Sequence, residues 1–179
     1  MAIGARSSST TEREKNGQVS VFEYSEASNS WFPLGGSIQG VSAKDRLGFS
    51  VSMSGDGNRV AVGAPRGNEE TGSVSIYEYN GSAWILFGDI IVGDEIGDRA
   101  GFSLSLSNDG NTLVVGAFTS SKNDLTKSGS VSVYKLEGSI EDNSSSLIKQ
   151  GQTLNGSIAE AKFGYSVAVS GNGLRLVVG

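Results

Sequence analysis

The chain has 179 residues, 14 Lys and Arg against 19 Asp and Glu for a net charge of −5, and neither Cys nor His. Those counts exclude a disulfide framework, a thiolate nucleophile, a Ser-His-Asp relay and any imidazole or thiolate metal site, which leaves carboxylates for acid–base chemistry. The acidic balance argues against nucleic acid as a partner, and no apolar run approaches the ~18 residues that direct membrane insertion needs.

Phe49, Val51 and Met53 alternate with Ser, and Val74 and Ile76 with Ser73, Ser75 and Tyr77, so the predicted elements are strands. In chain order they fall into four recurring types. Met1-Ala2-Ile3-Gly4-Ala5 opens as a strand of type B, Gly17 to Phe22 follows as type C, and Trp31 to Ile38 as type D. A first whole unit then has A near 49–54, B near 59–64, C near 72–79 and D near 84–92. The order repeats from Ala100, with B at Leu113 to Ala117, C from Gly129 and a weaker D from Leu147 to Leu154. A third A strand starts at Phe163, and Leu176 to Gly179 begins another B. Equivalent glycines are 53 residues apart from Gly48 to Gly101 and 63 apart from Gly101 to Gly164. A fixed period with ordered strands inside it decides the architecture.

The turns between A and B carry Asp56-Gly57, Asp109-Gly110 and Asn172-Gly173, where a hairpin asks for positive φ. Four-stranded meanders repeated in this way predict an all-β protein, a β-propeller of antiparallel blades; an elongated β-solenoid is the alternative, although its coils are shorter. The predicted boundaries are a partial blade at 1–47 with strands B to D, blades at 48–100 and 101–162, and a partial blade with strands A and B at 163–179. About three blade equivalents suggest a fragment of a longer ring, or a subunit that closes a ring by self-association.

Leu47-Gly48-Phe49-Ser50, Gly63-Ala64-Pro65 and Gly72-Ser73-Val74-Ser75-Ile76-Tyr77 together resemble the FG-GAP repeat of integrin α-subunit propellers. Phe163-Gly164 is the literal Phe-Gly pair, while Leu47 and Ala100 precede the glycine elsewhere, and Phe118 replaces the proline of Gly-Ala-Pro in the next copy. The resemblance implies a seven-bladed propeller used for extracellular recognition or adhesion at a cell surface. Blades of that kind often carry a calcium loop between A and B. Here Asp56 and Asp109 are the weak candidates, one acid per loop, and a hard cation wants six to eight oxygens, so turn chemistry is the simpler reading. No cofactor is expected.

The loops are unequally charged. The B-to-C and D-to-A loops hold 20 of the 33 charges, ten of each sign; the A-to-B and C-to-D loops hold 6, all acidic. The charged loops, variable on a repeating scaffold, are where recognition is usually placed, and that face corresponds to the integrin ligand face. Candidate ligand contacts are Lys44, Asp45, Arg46, Arg66, Glu69, Glu70, Asp94, Glu95, Asp98 and Arg99. The bland alternative is that these charges only keep the disc soluble.

Glu12, Glu14, Glu69 and Glu70 could pair as acid and base, yet adjacent loop carboxylates are usually solvated. Trp31 and Trp84 share a repeat position, which favours packing over ligand stacking. Asn80, Asn143 and Asn155 each begin an Asn-x-Ser glycosylation sequon, at a frequency close to chance. The expectation is a non-enzymatic recognition and adhesion module that binds a protein or glycan. Two alternatives stand beside it: the propeller part of a larger hydrolase, as in phospholipases that resemble FG-GAP proteins, and a scaffold with no ligand of its own.

Overall fold

A computed structural model describes residues 1–12, 14–122 and 124–179, and Arg13 and Asn123, both in the charged loops counted above, lie outside the described residues. The described residues form strands only. One sheet joins β1 (Ala2–Ala5), β2 (Gln18–Ser25) and β3 (Ser30–Gln39). The next runs β4 (Ser50–Met53), β5 (Arg59–Ala64), β6 (Ser73–Tyr79) and β7 (Trp84–Leu86), with β8 (Ile91–Val92) also on β6. The same plan recurs in β9 (Ser103–Leu106), β10 (Thr112–Ala117), β11 (Ser130–Glu137), β12 (Ser146–Lys149) and β13 (Leu154–Asn155). A two-stranded sheet of β14 (Val167–Val169) and β15 (Leu176–Val178) follows. Every pairing between these strands is antiparallel. The chain is a stretch of β-propeller.

The second strands of the two five-stranded sheets, β5 and β10, are buried on both sides, which is why Val60-Ala61-Val62-Gly63-Ala64 reads as a continuous apolar run. Val60, Val62 and Ala64 pack with Val19, Val21 and Ile38 of the preceding sheet. Ala61 faces the other way, into a core shared with Leu104, Leu113 and Val115 of the following sheet. The core therefore lies between blades. Gly63 is needed at that interface, since a Cβ there would meet the Gly101 carbonyl oxygen at 2.2 Å.

The alternating serines of the A strands have a definite task. Ser50 Oγ donates to the Gly101 carbonyl at 2.7 Å, and Ser52 Oγ accepts the Leu106 N–H at 3.0 Å. One blade later, Ser103 Oγ donates to Gly164 O at 2.7 Å and Ser105 Oγ accepts Val169 N–H at 3.1 Å. Hydroxyls thus join successive inner strands whose backbones do not pair directly, and satisfy buried polar groups at the interface.

Two predicted features differ. Strand D is broken into two pieces in both five-stranded sheets, though not in the first sheet: Phe87 turns fully into the core and Gly88, at φ 63°, kinks the chain before Ile91 rejoins β6. Trp84 is 8% exposed, with its indole N–H donating to Leu34 O at 2.9 Å, but Trp31 is 51% exposed. Trp84 has a preceding sheet to fill, where a Cβ on Gly35 would meet its ring at 2.9 Å; Trp31 stands on the first sheet and rests on Tyr24 instead.

Candidate functional site on the charged face

The D-to-A turns set the geometry of this face. Leu47 N–H donates to Asn16 O at 3.0 Å and Phe49 N–H to Arg46 O at 3.1 Å, and the same pair of bonds recurs around Ala100 and Phe102, and around Phe163 and Tyr165. This double tie holds Arg46, Arg99 and Lys162 at φ 60°, 57° and 57°, a left-handed conformation that costs an L-residue about 1 kcal/mol or more. Each cation stands three residues before an aromatic. The aromatics meet near the inner strands: Phe49 and Phe102 ring centroids are 4.8 Å apart, Phe102 and Tyr165 5.0 Å, and Phe118 packs on Phe102 at 4.2 Å.

Three cavities open among these loops. One of about 520 Å³ gathers Lys44, Asp45, Arg66, Glu69 and Glu70. Its equivalent one repeat on, about 550 Å³, is lined by Glu95, Asp98, Arg99, Thr119, Lys127 and Lys162. A third of about 320 Å³ lies between them, with Arg46, Arg66 and Arg99 joined by Arg6 over Phe49 and Phe102. Asp94 lines a small gap of about 30 Å³ beneath, beside Asp98 and Tyr134.

Asp98 is the most enclosed of the candidates, at 4% exposed. Its Oδ2 accepts the Glu95 N–H at 3.2 Å and lies 3.9 Å from Lys122 Nζ, which also reaches Glu95 at 3.2 Å and Asp94 at 3.5 Å. Thr119 Oγ1 clamps the same loop by donating to Gly97 O at 2.6 Å. Burial pushes the Asp98 carboxyl above the ordinary aspartate range, against the pull of the Lys122 ammonium and the Glu95 N–H. Asp45 caps Ser42 N–H in the same way at 3.1 Å, and burial raises it too, but no cation pairs with it among the described residues.

Other residues named from the sequence are occupied locally. Asp56 accepts from the Ser54 hydroxyl at 2.6 Å and the Asn58 N–H at 3.0 Å, and Asp109 repeats this with Ser107 and Asn111, so the Ser hydroxyl first and the turn amide next hold both carboxyls below their ordinary value. Asn80 Oδ1 accepts Ala83 N–H at 2.9 Å within its own turn, Asn143 is exposed at φ 60°, and Asn155 pairs with Ser130 in β13. Sequence reasoning passed over Arg6, Lys162 and Lys122. Lys162 was visible by repeat alignment with Arg46 and Arg99, and Arg6 by its place after Gly4-Ala5; Lys122 aligns with Thr10 in the first B-to-C loop, so alignment gave no sign of a cation there.

A family model described as the FG-GAP repeat matches residues 39–77, the stretch that runs from the end of β3 into β6. No curated protein matches. Among solved structures the chain is similar to a Bacteroides uniformis protein named for 6-phosphogluconolactonase activity, with TM-score 0.56 and 16% identity over 90% of this chain and 40% of that one. It is similar also to a periplasmic gluconolactonase of Pseudomonas aeruginosa, with TM-score 0.58 and 17% identity over 99% of this chain and 46% of that one. The chain thus spans less than half the length of either. These neighbours, named as a 6-phosphogluconolactonase and a gluconolactonase, correct two expectations from the sequence, the adhesion module and the absence of enzymatic activity. They also leave the integrin likeness at the level of the repeat itself.

Proposed function

We propose that this chain is part of a hydrolase propeller that opens a sugar lactone or related ester on its charged face. The observation that carries the reading is Asp98, a buried carboxyl with a raised pKa on the wall of a 550 Å³ cavity, in a fold whose neighbours are named as lactonases. A chain without His or Cys has carboxylates as its candidate bases, and a base works best when its pKa approaches the working pH.

In this scheme Asp98 takes a proton from water as the water oxygen bonds to the lactone carbonyl carbon. Arg99 and Lys162, on the same cavity wall, stabilise the oxyanion that develops. The oxyanion then collapses, the ring C–O bond breaks, and the proton passes from Asp98 to the leaving ring oxygen, giving the hydroxy acid. Asp98 also caps its loop, so the informative variant is Asp98→Asn, which keeps an acceptor for the Glu95 N–H and loses the base. Acid release from δ-gluconolactone, followed in a pH-stat, tests the reading: the wild-type chain should exceed buffer, and a rate equal to buffer would overturn it.

A further inference from the structure

Arg6, Arg46, Arg66 and Arg99 are four of the 14 cations of an acidic chain, yet they share the wall of one cavity of about 320 Å³. Among the described residues none of the four has a carboxylate within ion-pair distance. Asp45 and Asp98, next in sequence to Arg46 and Arg99, are turned to the N–H groups of Ser42 and Glu95, while Glu69 and Glu70 share the neighbouring cavity with Arg66 without pairing with it. Arg59 shows what this chain does with a guanidinium whose role is structural: it bonds Glu78 at 2.6 Å, Asn111 at 3.0 Å and the carbonyls of Gly110 and Gly138.

Two of the four are held at positive φ by the tied D-to-A turns, and Arg6 lies over the Phe49 ring with its Cζ 4.9 Å from the centroid. Like charges crowded without counter-charge repel one another, and an anion seated among them relieves that repulsion. Guanidinium groups offer forked donors that suit phosphate and carboxylate, and the Phe49 and Phe102 faces suit the apolar side of a sugar or other small ring. The volume is that of a small-ligand site.

We infer that this cavity binds the oxyanion group, phosphate or carboxylate, of a small organic ligand whose body rests on Phe49 and Phe102. The inference rests on the hydrolase reading in that it assigns an anionic substrate to the same face. Calorimetric titration of the 179-residue chain at low salt tests it, with glucose 6-phosphate, inorganic phosphate and glucose as probes. Glucose 6-phosphate should bind at least about tenfold more tightly than either of the others, as expected for charge-assisted hydrogen bonds backed by ring contact. R46Q/R99Q and, separately, R6Q/R66Q should each weaken it about tenfold, while K149Q, on an outer strand, leaves it unchanged. The second pair keeps the test open if the first fails to fold.

Equal binding of glucose and glucose 6-phosphate, or wild-type affinity in both folded double variants, overturns the site. Inorganic phosphate binding as tightly as glucose 6-phosphate overturns the organic ligand and leaves an adventitious ion only. Lactone hydrolysis without discrimination between the probes sinks this inference alone; binding of glucose 6-phosphate without any hydrolysis sinks the hydrolase reading alone.

Discussion

Asp45 and Asp98 occupy the same position in successive repeats, precede the same Arg-x-Gly-Phe sequence and cap the same turn, yet only Asp98 has a cation clasped over it. The difference comes from the B-to-C loop beside each. Between Gly63 and Gly72 the chain spends few residues; between Gly116 and Gly129 it spends more, and the added length carries Thr119 onto Gly97 O and Lys122 onto three acids. One repeat gives a half-buried loop cap, the next an enclosed carboxyl under an ammonium. In the third, Ala161 stands at this position and the device is lost. A repeat architecture lets one blade specialise through a single loop while the strands stay the same.

The comparison can be broken in several ways. The largest effect is expected on turnover: D98N should lower lactone hydrolysis by at least about 100-fold, the contribution of a general base, whereas D45N should change it by less than about twofold. Equal losses in the two variants would return both residues to loop capping. Next, K122M should move the acid limb of the rate profile to higher pH, because removing the ammonium removes a force that holds the Asp98 carboxyl ionised. An unmoved limb would mean that another group titrates.

Stability sharpens the contrast further. The folded-state pKa of Asp98 is raised, so its neutral form stabilises the fold at acid pH and that contribution is lost as pH rises through the folded value. D98N, permanently neutral, should therefore melt about 2 °C above wild type near pH 7 and alongside it below the ordinary aspartate value of 3.8. Thermal scans at both pH values would show this; a D98N melting point that falls at pH 7 would mean that the Lys122 contact outweighs burial. Smallest of all, E95Q should alter the melting point by less than about 1 °C, since the Glu95 side of its ion pair with Lys122 is largely solvated.

The strands and the hairpin glycines were legible because period-two alternation and self-alignment report backbone structure directly: Gly57, Gly110 and Gly173 all have positive φ, at 77°, 69° and 72°. The task of Ser50, Ser52, Ser103 and Ser105 was visible only as an alternation, since hydrogen bonds between blades need coordinates. Trp31 illustrates the same limit, because burial of a repeat position depends on the sheet in front of it. Residues on the charged face could be chosen from loop order alone, and Arg46, Asp98 and Arg99 do line its cavities. Which of them is enclosed was not legible, because the enclosure of Asp98 is made by Thr119 and Lys122, and the equally long first B-to-C loop has Ser7 and Thr10 at those places.

Whether the longer loop turns a repeated loop cap into a base is decided by a single experiment. Initial rates of δ-gluconolactone hydrolysis by wild type, D45N and D98N would be measured side by side in a pH-stat, with folding of each checked by circular dichroism. Wild type and D45N should hydrolyse the lactone at the same rate, and D98N near the buffer rate. Hydrolysis by D98N at the wild-type rate would contradict the role of Asp98 as the base.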